Sequence, residues 1–248
     1  MNEAKIAKLQ EIIDNSNHIV FFGGAGVSVP SGIPDFRSAQ GIYVKDKKTE
    51  YSPEEIVSHR FFWNHPEIFY DFYISKMVNL NAKPNVVHHY LTKLEKAGKL
   101  TAIVTQNIDG FHQMAGSKVV YELHGSIHRN YCTKCHTAYE AHILKVGQVP
   151  YCQACGAIIK PDVVLFEEGL DQQTLMAAIN AIRSADTLII GGTSLIVQPA
   201  ASLVSYFGGK NLIIINKEER SIPYYVHQTP LYIVSDIAAV FSKLKVNK

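Results

Sequence analysis

The sequence lacks a strong charge of either sign, because 24 lysines and arginines stand against 22 aspartates and glutamates, for a formal net charge of +2. Such a chain has no general attraction to nucleic acid or to a membrane surface, so any partner must be recognised at a specific site. It also lacks a long apolar run, and residues 1–5 contain no apolar core of a signal peptide. We therefore expect an intracellular, cytoplasmic protein with no membrane span.

Cysteine is also scarce, and the four cysteines all fall between positions 132 and 155. They form two Cys-x-x-Cys pairs, and this spacing predicts one zinc site rather than disulfides or four unrelated buried thiols. Since four thiolates complete the coordination of the ion, the metal is expected to be structural. The predicted ligands are Cys132, Cys135, Cys152 and Cys155. Three nearby histidines are alternative ligands that we interpret as surface side chains: His128, His136 and His142.

The glycine-rich stretch after the first apolar segment lacks the third glycine of the usual dinucleotide fingerprint, because Val29 stands in its place. The acidic residue that normally follows such a fingerprint is missing as well. An apolar strand at 19–22 nevertheless ends in glycines, and backbone N–H groups at such a turn can bind a phosphate. A lone Gly-x-Gly is a weak signal, so an ordinary tight turn is the alternative to a diphosphate site.

Strand and helix signals alternate along most of the chain, which predicts a parallel sheet covered by helices on both faces. After the first strand, further strands are expected at 101–105, 119–122, 187–190, 212–215 and 231–234. Helices are expected at 3–15, 84–98 and 170–184, from 194 to about 207, and from Asp236 onward. A polar stretch at 38–51 predicts a mobile loop, and N-cap signals at Ser52 and Asn64 predict two helices of an insertion.

Polar residues follow two of these predicted strands. Asn107 and Asp109 lie at alternate positions beyond 101–105, where open α/β sheets place ligands, although an Asx turn explains them equally well. His124 follows the strand at 119–122 and precedes Gly125, and histidine titrates near neutral pH. We therefore select His124, among 11 histidines, as the candidate acid or base.

Taken in order, these motifs resemble those of the sirtuins, the NAD-dependent protein lysine deacylases. They are Gly24-Ala25-Gly26-Val27-Ser28, Ser31-Gly32-Ile33-Pro34-Asp35-Phe36-Arg37, Gln106-Asn107-Ile108-Asp109, His124-Gly125, the two Cys-x-x-Cys pairs, Gly192-Thr193-Ser194 and Ile215-Asn216. The match runs from about Ile6 to the last helix. The chain resembles a bacterial-type family member with a single catalytic domain. It implies an α/β fold with a Rossmann-like doubly wound parallel sheet and a smaller domain made of the zinc module and a helical insertion.

The resemblance also implies boundaries and ligands. The NAD-binding domain would comprise 1–37, 84–126 and 161–248, the cofactor loop and helical insertion 38–83, and the zinc-binding module 127–160. The implied ligands are NAD as a co-substrate and one structural Zn²⁺. The implied partners are acetyl-lysine proteins or peptides, with no direct nucleic acid and no membrane, and we expect a monomer.

Site roles carry over from the family to matching positions. The diphosphate would be held by Ala25, Gly26 and Ser28, and the nicotinamide ribose by Phe36, Arg37, Gln106 and Asn107. The carboxamide pocket would use Ile108 and Asp109, the phosphate and adenosine side Thr193 and Ser194, and the adenine ribose Asn216. That last contact explains the missing acid after the glycine turn. The implied cofactor-binding set is completed by Gly24, Asp35, Gly192, Lys217, Asp236 and Ile237.

The implied reaction uses NAD as an electrophile. The acetyl oxygen attacks the anomeric carbon as nicotinamide leaves, and His124, with Asn107 as the second catalytic residue, then deprotonates a ribose hydroxyl. The products are lysine, nicotinamide and O-acetyl-ADP-ribose. The substrate would add as a strand between 163–168 and 195–198, with contacts from Val163, Val164, Phe166, Glu167, Leu195 and Val197.

Two positions bear on substrate choice. Glu167 stands where the family usually has glycine, which places an acid beside the peptide groove and favours basic flanking residues or weakens binding. Family members that remove succinyl groups carry Tyr-x-x-Arg, whereas Tyr70 is followed three positions on by Tyr73. A neutral acyl group such as acetyl is therefore expected.

Three other functions stay open at this point. A mono-ADP-ribosyltransferase on the same scaffold would keep the cofactor residues with less use for His124. A zinc-ribbon module that binds nucleic acid predicts a basic, aromatic segment, which 128–160 does not provide. A dehydrogenase would transfer hydride to or from the nicotinamide.

Overall fold

The computed structural model describes residues 2–35, 50–219, 226 and 228–247. Phe36, Arg37 and most of the predicted loop at 38–51 therefore lie outside the described residues. The strands are β1 Ile19–Gly23, β2 Leu100–Thr105, β3 Val120–Glu122, β4 Gly125–Cys132, β5 Ala138–Glu140, β6 Ile159–Val163, β7 Thr187–Gly191, β8 Asn211–Asn216 and β9 Leu231–Val234. The α-helices are α1 Glu3–Asn15, α2 Pro53–Ile56, α3 His59–Asn64, α4 Pro66–Phe72, α5 Val86–Lys96, α6 Phe111–Ala115, α7 Gln172–Ser184 and α8 Ile237–Phe241.

Six strands form one sheet in the order β3-β2-β1-β7-β8-β9, and every neighbouring pair is parallel. The predicted parallel sheet is thus confirmed. The chain leaves β1 toward β2 on one side, while β7 pairs with the other side of β1, so the strand order reverses between β1 and β7. Open α/β sheets bind ligands beside the carboxyl ends of strands at such a switch point. The glycines that end β1 and β7 lie at this place.

The sheet is buried on both faces, as a parallel sheet requires. Alternate residues of β1 enter two separate apolar clusters, with Phe21 in one and Phe22 in the other. On the first face α1, α5 and α8 cover the sheet, and α1 contributes Ile6, Leu9 and Ile13 at helical spacing. On the second face α7 packs through Ala178, Ile179 and Ile182.

The segment after β7 differs from the prediction. A helix was expected from 194 to about 207, but the chain forms a shorter 3₁₀ helix at Ala200–Tyr206. The apolar residues recur at i, i+3, as Ala200 with Leu203 and Ala201 with Val204, and all four are buried. That spacing suits a helix with three residues per turn as well as one with 3.6, so a pattern over seven residues does not distinguish a 3₁₀ helix from an α-helix.

A second, smaller sheet is antiparallel and has the order β5-β4-β6. Sequence reasoning did not predict these three strands. Strands β4 and β6 cross the predicted boundaries at 126/127 and 160/161, so the large and small parts share continuous strands. The division into domains stays a prediction.

The insertion contains more elements than the two predicted helices. Ser52 caps α2 as predicted, since its Oγ accepts a hydrogen bond from the backbone N–H of Glu55 at 3.2 Å. The second predicted helix is present as α4, but its N-cap is His65, because Asn64 is the last residue of α3 and Ser58 caps that helix. A π-helical turn at Tyr73–Met77 follows α4. These elements pack around an apolar cluster of their own, which we call the insertion core. Within the described residues, no helix has the length and apolar character needed to cross a membrane.

Candidate functional site

A cavity of about 640 Å³ opens at the switch point between β1 and β7. Its walls come from the ends of β1, β2, β7 and β8, from the insertion, and from the segment after β6. Most of the predicted site residues line it: Ala25, Gly26, Asp35, Gln106, Asn107, Ile108, His124, Val163, Val164, Phe166, Glu167, Gly192, Thr193, Ser194, Val197, Asn216, Lys217 and Ile237. Positions far apart in the chain are thus brought to one place.

Of the described residues that were predicted to bind NAD or the peptide, five do not line the cavity: Gly24, Ser28, Asp109, Leu195 and Asp236. Gly24, Ser28, Asp109 and Asp236 are each next in the chain to a lining residue. The Leu195 side chain instead belongs to the apolar cluster under α7, with its backbone in the left-handed region at φ 53°. Ser194 and Val197, on either side of it in the chain, line the cavity instead.

The glycine turns after β1 and β7 touch each other. The backbone N–H of Gly26 donates to the carbonyl oxygen of Gly192 at 2.8 Å. A Cβ atom at Gly26 would lie 2.7 Å from the Cα of Gly192, and one at Gly192 would lie 2.5 Å from the nitrogen of Val27. This close approach requires glycine at both positions and leaves a backbone-lined floor for a ligand.

We expect Gly26→Ala to raise KM for NAD by about tenfold or more, because a displacement of ~1 Å in a positioning element costs up to ~10²-fold. The new methyl group meets backbone atoms, which cannot rotate away as a side-chain end can. Gly208→Ala is the matched control, because a Cβ atom there meets no atom within 4 Å. Steady-state kinetics with varied NAD measures the effect, and an unchanged KM would contradict the role of the contact.

A buried polar chain fixes the glycine turn to the end of β2. The Asn107 amide donates to the carbonyl oxygen of Gly24 at 3.1 Å and to Ser28 Oγ at 3.0 Å. Ser28 Oγ in turn donates to Asp109 Oδ2 at 2.6 Å. Burial raises the pKa of Asp109, while the Ser28 hydroxyl and the Phe111 N–H oppose the shift. Asp109 Oδ1 also accepts from the Phe111 N–H at 2.9 Å, so the Asx turn considered from the sequence is present.

Gln106 offers a hydrogen-bond donor that no described residue uses. Its backbone N–H donates to the carbonyl oxygen of Gly23 at 2.9 Å, and its Oε1 accepts from Thr193 Oγ1 at 3.3 Å. Its Nε2 is buried without a hydrogen-bond partner. A buried amide left unpaired costs ~1–3 kcal/mol, which a ligand oxygen would recover. Together with the glycine floor, this donor fits a ribose next to a diphosphate.

His124 is held in one tautomer. Its Nδ1 lies 2.9 Å from the carbonyl oxygen of Gln106, which can only accept, so Nδ1 carries the proton and Nε2 keeps its lone pair. Burial lowers the pKa of His124, although the hydrogen bond to Gln106 opposes the shift. The ring is therefore neutral at neutral pH, with a proton-accepting nitrogen on a cavity-lining residue.

The far side of the cavity is built by the ends of β8 and β9. Asn216 donates from Nδ2 to the carbonyl oxygen of Thr193 at 2.8 Å, which links the β7 and β8 ends. Lys217 Nζ lies 3.3 Å from Asp236 Oδ2. Asp236 also caps α8 through the N–H groups of Ala238 and Ala239.

The segment 163–168 forms the wall opposite the glycine turns. It is hydrogen-bonded to the residue that precedes β4, since Val164 N–H donates to the carbonyl oxygen of His124 at 3.0 Å. It is paired with the insertion through Phe166, which donates to Val57 at 3.0 Å and accepts from His59 at 2.9 Å. The histidine and this wall are therefore fixed to each other by a direct backbone hydrogen bond.

Glu168 holds the segment 163–168 in place through three contacts of its side chain. Its carboxylate accepts from Leu165 N–H at 2.9 Å, lies 3.1 Å from Lys160 Nζ and lies 2.9 Å from His59 Nδ1. Burial opposes ionisation of Glu168, but these donors outweigh it and lower the pKa. Since Lys160 is buried on β6, the ion pair ties the cavity wall to the small sheet.

Glu167, the departure from the family pattern, has its backbone in the left-handed region at φ 75°. Glycine adopts this conformation without the steric cost that a Cβ atom brings, which explains why glycine suits the position. The sequence predicted a free carboxylate beside the groove, but in the structure this carboxylate is bonded to Arg60. Oε2 accepts from the Arg60 N–H at 3.0 Å, and Oε1 lies 3.9 Å from the Arg60 guanidinium.

We expect Glu167→Gly to be more stable than Glu167→Ala by about 1 kcal/mol, because both lose the hydrogen bond to Arg60 but only alanine keeps the Cβ strain. Urea denaturation of the two variants at equal m-value measures the difference. Equal midpoints would show that the left-handed backbone carries no strain at this position.

The four cysteines converge as predicted. Their Sγ atoms all lie within 4.8 Å of one another, with Cys132 and Cys155 3.4 Å apart. The N–H groups of Lys134 and Cys135 point at Cys132 Sγ, each at 3.4 Å. Four thiol ligands at one point, with amide donors to sulfur, fit a tetrahedral zinc ion with no open position. Among the described residues, no histidine belongs to this cluster.

The sequence matches the Sir2 family over residues 24–199. An NAD-dependent protein deacetylase of Clostridium perfringens is 62% identical over 215 residues, which cover 86% of this chain and 88% of the relative. The chain belongs to the Sir2 family. A second NAD-dependent protein deacetylase, of Clostridium acetobutylicum, is 53% identical over 238 residues, 95% of this chain and 96% of the relative. A solved structure of Sir2 with a deacetylated p53 peptide and 3′-O-acetyl-ADP-ribose has a TM-score of 0.85 at 37% identity and covers 96% of each chain.

Membership of the Sir2 family confirms the sirtuin resemblance and the α/β fold with its four-cysteine module. The cavity of this Sir2-family chain also contains residues that sequence reasoning did not assign to a site. Val57 and Met77 come from the insertion, whose short helices carry no ligand-binding motif. Gln198 is the last residue of the predicted peptide segment 195–198 but was not named as a contact, and Pro199 follows that segment directly, so extending it by one residue would have found both.

Proposed function

We propose that this chain is an NAD-dependent protein lysine deacetylase that transfers the acetyl group to ADP-ribose and releases nicotinamide. The observation that carries the proposal is His124, a neutral ring with a free Nε2, placed in one cavity with the glycine turns and the segment 163–168. Relatives at up to 62% identity over most of the chain are named for the same activity.

The glycine turns are proposed to bind the diphosphate of NAD, with Gly24, Ala25, Gly26 and Ser28 on one side and Gly192, Thr193 and Ser194 on the other. Gln106 and Asn107 bind the nicotinamide ribose, and the unpaired Nε2 of Gln106 supplies a donor for a ribose oxygen. Ile108 packs beside the nicotinamide, and Asp109 acts from behind through Ser28. Asp35, Phe36 and Arg37 complete the nicotinamide side, while Asn216, Lys217, Asp236 and Ile237 form the adenosine side.

NAD supplies the electrophilic carbon when it is bound, and the chain's own residues position it and move a proton. His124 Nε2 accepts a proton from a ribose hydroxyl, while Gln106 holds the opposite ring nitrogen. The Asn107 amide bonds the end of β2 to the glycine turn, and this contact keeps the ribose aligned with the histidine. An apolar wall from the insertion core limits access of water to this region.

The acetyl-lysine peptide is proposed to lie between 163–168 and 195–198, with contacts from Val163, Val164, Phe166, Glu167, Leu195 and Val197. The wall 163–168 is fixed by backbone pairing before any peptide binds, which lowers the ordering cost of adding a strand. Because Arg60 already engages Glu167, we expect only a weak preference for basic flanking residues.

The remaining parts of the proposal concern assembly and setting. The proposed assembly is a monomer. Nucleic acid is not a proposed partner, because Arg129 in the small sheet is paired with Glu122 and Asp162, each at 2.7 Å. A reducing cytoplasm is the proposed setting, since zinc binding needs all four cysteines as thiolates rather than disulfides.

The test is incubation of the purified chain with NAD and an acetyl-lysine peptide, followed by mass spectrometry. The expected products are deacetylated peptide, nicotinamide and O-acetyl-ADP-ribose in equal amounts. ADP-ribosylated protein without O-acetyl-ADP-ribose would contradict the proposal in favour of a mono-ADP-ribosyltransferase. A change in nicotinamide absorbance at turnover would instead indicate hydride transfer.

A further inference from the structure

The cavity has a second region beyond the groups assigned to NAD. Here it is lined by residues that belong to the insertion core or pack against it: Val57, Tyr73, Met77, Ile108, Val163 and Leu165. Their side chains are apolar apart from the phenol of Tyr73. This region therefore suits a short hydrocarbon chain, except at one hydroxyl.

Tyr73 is fully buried, and its hydroxyl has no hydrogen-bond partner within the described part of the chain. Its ring is held by stacking on Phe69, with centroids 5.5 Å apart and planes 10° from parallel. Tyr70, three positions earlier, differs because its hydroxyl donates to the carbonyl oxygen of Ile159 and the residue does not line the cavity. Buried polar groups are nearly always hydrogen-bonded, and a ligand in the cavity would supply the partner that the Tyr73 phenol lacks.

The electrostatics of this region favour an uncharged ligand. Burial and the nearby carboxylate of Asp162 raise the pKa of Tyr73, so its hydroxyl stays protonated and available as a donor. Of the described residues that line the cavity, Lys217 is the one lysine or arginine, and it lies beside Asn216 and pairs with Asp236. An acidic acyl chain would meet no cation near Tyr73 in this part of the structure, whereas a neutral oxygen would meet a donor.

We propose that the Tyr73 hydroxyl binds an uncharged oxygen on the acyl chain, so that the enzyme accepts short hydroxyacyl-lysine substrates in preference to their unsubstituted counterparts. This inference rests on the proposed deacetylase function and specifies the acyl group that the same site takes. The acyl carbonyl oxygen reacts with NAD, so the oxygen that Tyr73 recognises must lie further along the acyl chain. Acetyl-lysine, which has no such oxygen, is processed without using Tyr73.

The test compares two forms of one peptide, which carry 3-hydroxybutyryl-lysine and butyryl-lysine. The two acyl groups have the same carbon chain and differ by one hydroxyl. The wild-type enzyme should give the higher kcat/KM with 3-hydroxybutyryl-lysine. Tyr73→Phe should reduce the ratio of the two kcat/KM values by about tenfold, as expected for one buried hydrogen bond. Tyr70→Phe is the matched control and should leave the ratio unchanged.

Thermal denaturation provides a second readout. Tyr73→Phe should keep or raise Tm, because it removes a hydroxyl with no partner, whereas Tyr70→Phe should lower Tm by removing one that is bonded. The inference would be overturned if the wild-type enzyme preferred butyryl-lysine, or if Tyr73→Phe left the ratio of the two kcat/KM values unchanged. It would also be overturned if the enzyme removed acetyl but neither four-carbon group, or if Tyr73→Phe lowered Tm. Failure with acetyl-lysine as well would instead overturn the proposed function on which it rests.

Discussion

Replacing His124 with alanine or asparagine should lower kcat/KM for the acetyl peptide by about 10²- to 10⁴-fold, the usual contribution of a general base. The affinity for NAD should change little, because the glycine turns do not contact the imidazole and Gln106 keeps its hydrogen bonds to Gly23 and Thr193 when the one from His124 Nδ1 is lost. Peptide turnover by chromatography and NAD binding by calorimetry measure the two effects separately.

Asparagine distinguishes the proton acceptor from the positioning contact. Its side-chain amide can still donate to the carbonyl oxygen of Gln106, as Nδ1 of His124 does, but it has no basic nitrogen in place of Nε2. Both variants should therefore be equally inactive. Exchange of labelled nicotinamide into NAD should persist in both, because the proposed proton transfer follows nicotinamide release. An active asparagine variant would remove His124 from the role of base, and His89→Ala, an exposed histidine on α5, is the control.

The pH dependence of kcat/KM follows from the same ring. A base must be neutral to act, and burial lowers the pKa of His124. As the pH falls through ~6.5, where an ordinary histidine becomes protonated, His124 should stay neutral and the activity should hold its plateau. The acidic limb should appear at lower pH, once the pH passes the lowered pKa of His124.

Much of the fold could be predicted because its signals are local. Apolar strands that alternate with capped amphipathic helices gave the parallel sheet, and β1 and β7 both end in glycines at the switch point. The cysteine spacing likewise predicted one cluster of four sulfur atoms. In each case a short stretch of sequence contains the whole physical cause.

The small sheet could not be predicted in this way. The pairing of β4 with β6 shifts register between Gly125 and Asn130, so buried residues do not alternate regularly along β4. Strand β5 has only three residues, two of them exposed. Such strands exist because the cysteines and their neighbours bring them together, which is a tertiary cause with no local period.

The two polar residues after β2 show the same limit within the site. From the sequence, Asn107 and Asp109 were equivalent candidates for ligand contact. In the structure Asn107 lines the cavity, whereas Asp109 does not line it and bonds to Ser28 and Phe111. Which of the two faces the ligand depends on the turn that packs against them, and that turn is 79 and 81 residues away in the chain.

The site wall depends on the zinc module, and this dependence predicts the result of replacing Cys132 with serine. Of the described residues, only Cys132, Cys152 and Ile159 form the buried core of the module. A core of this size cannot offset the entropy of ordering the module, whereas structural zinc contributes ~10–16 kcal/mol in zinc-finger peptides. The module should therefore unfold when one buried ligand is lost.

Cys132→Ser should thus lose its zinc, become sensitive to proteolysis between 133 and 157, and lose deacetylase activity. Activity falls because β4 begins at Gly125, next to His124, and β6 ends at Val163, where the proposed peptide wall begins. Zinc content by mass spectrometry, limited proteolysis and peptide turnover measure the three effects. His142→Ala, an exposed change in the same module, should keep one zinc ion and full activity. A folded, zinc-free and active Cys132→Ser variant would show that the wall stands without the metal, and that the small sheet folds on its apolar contacts alone.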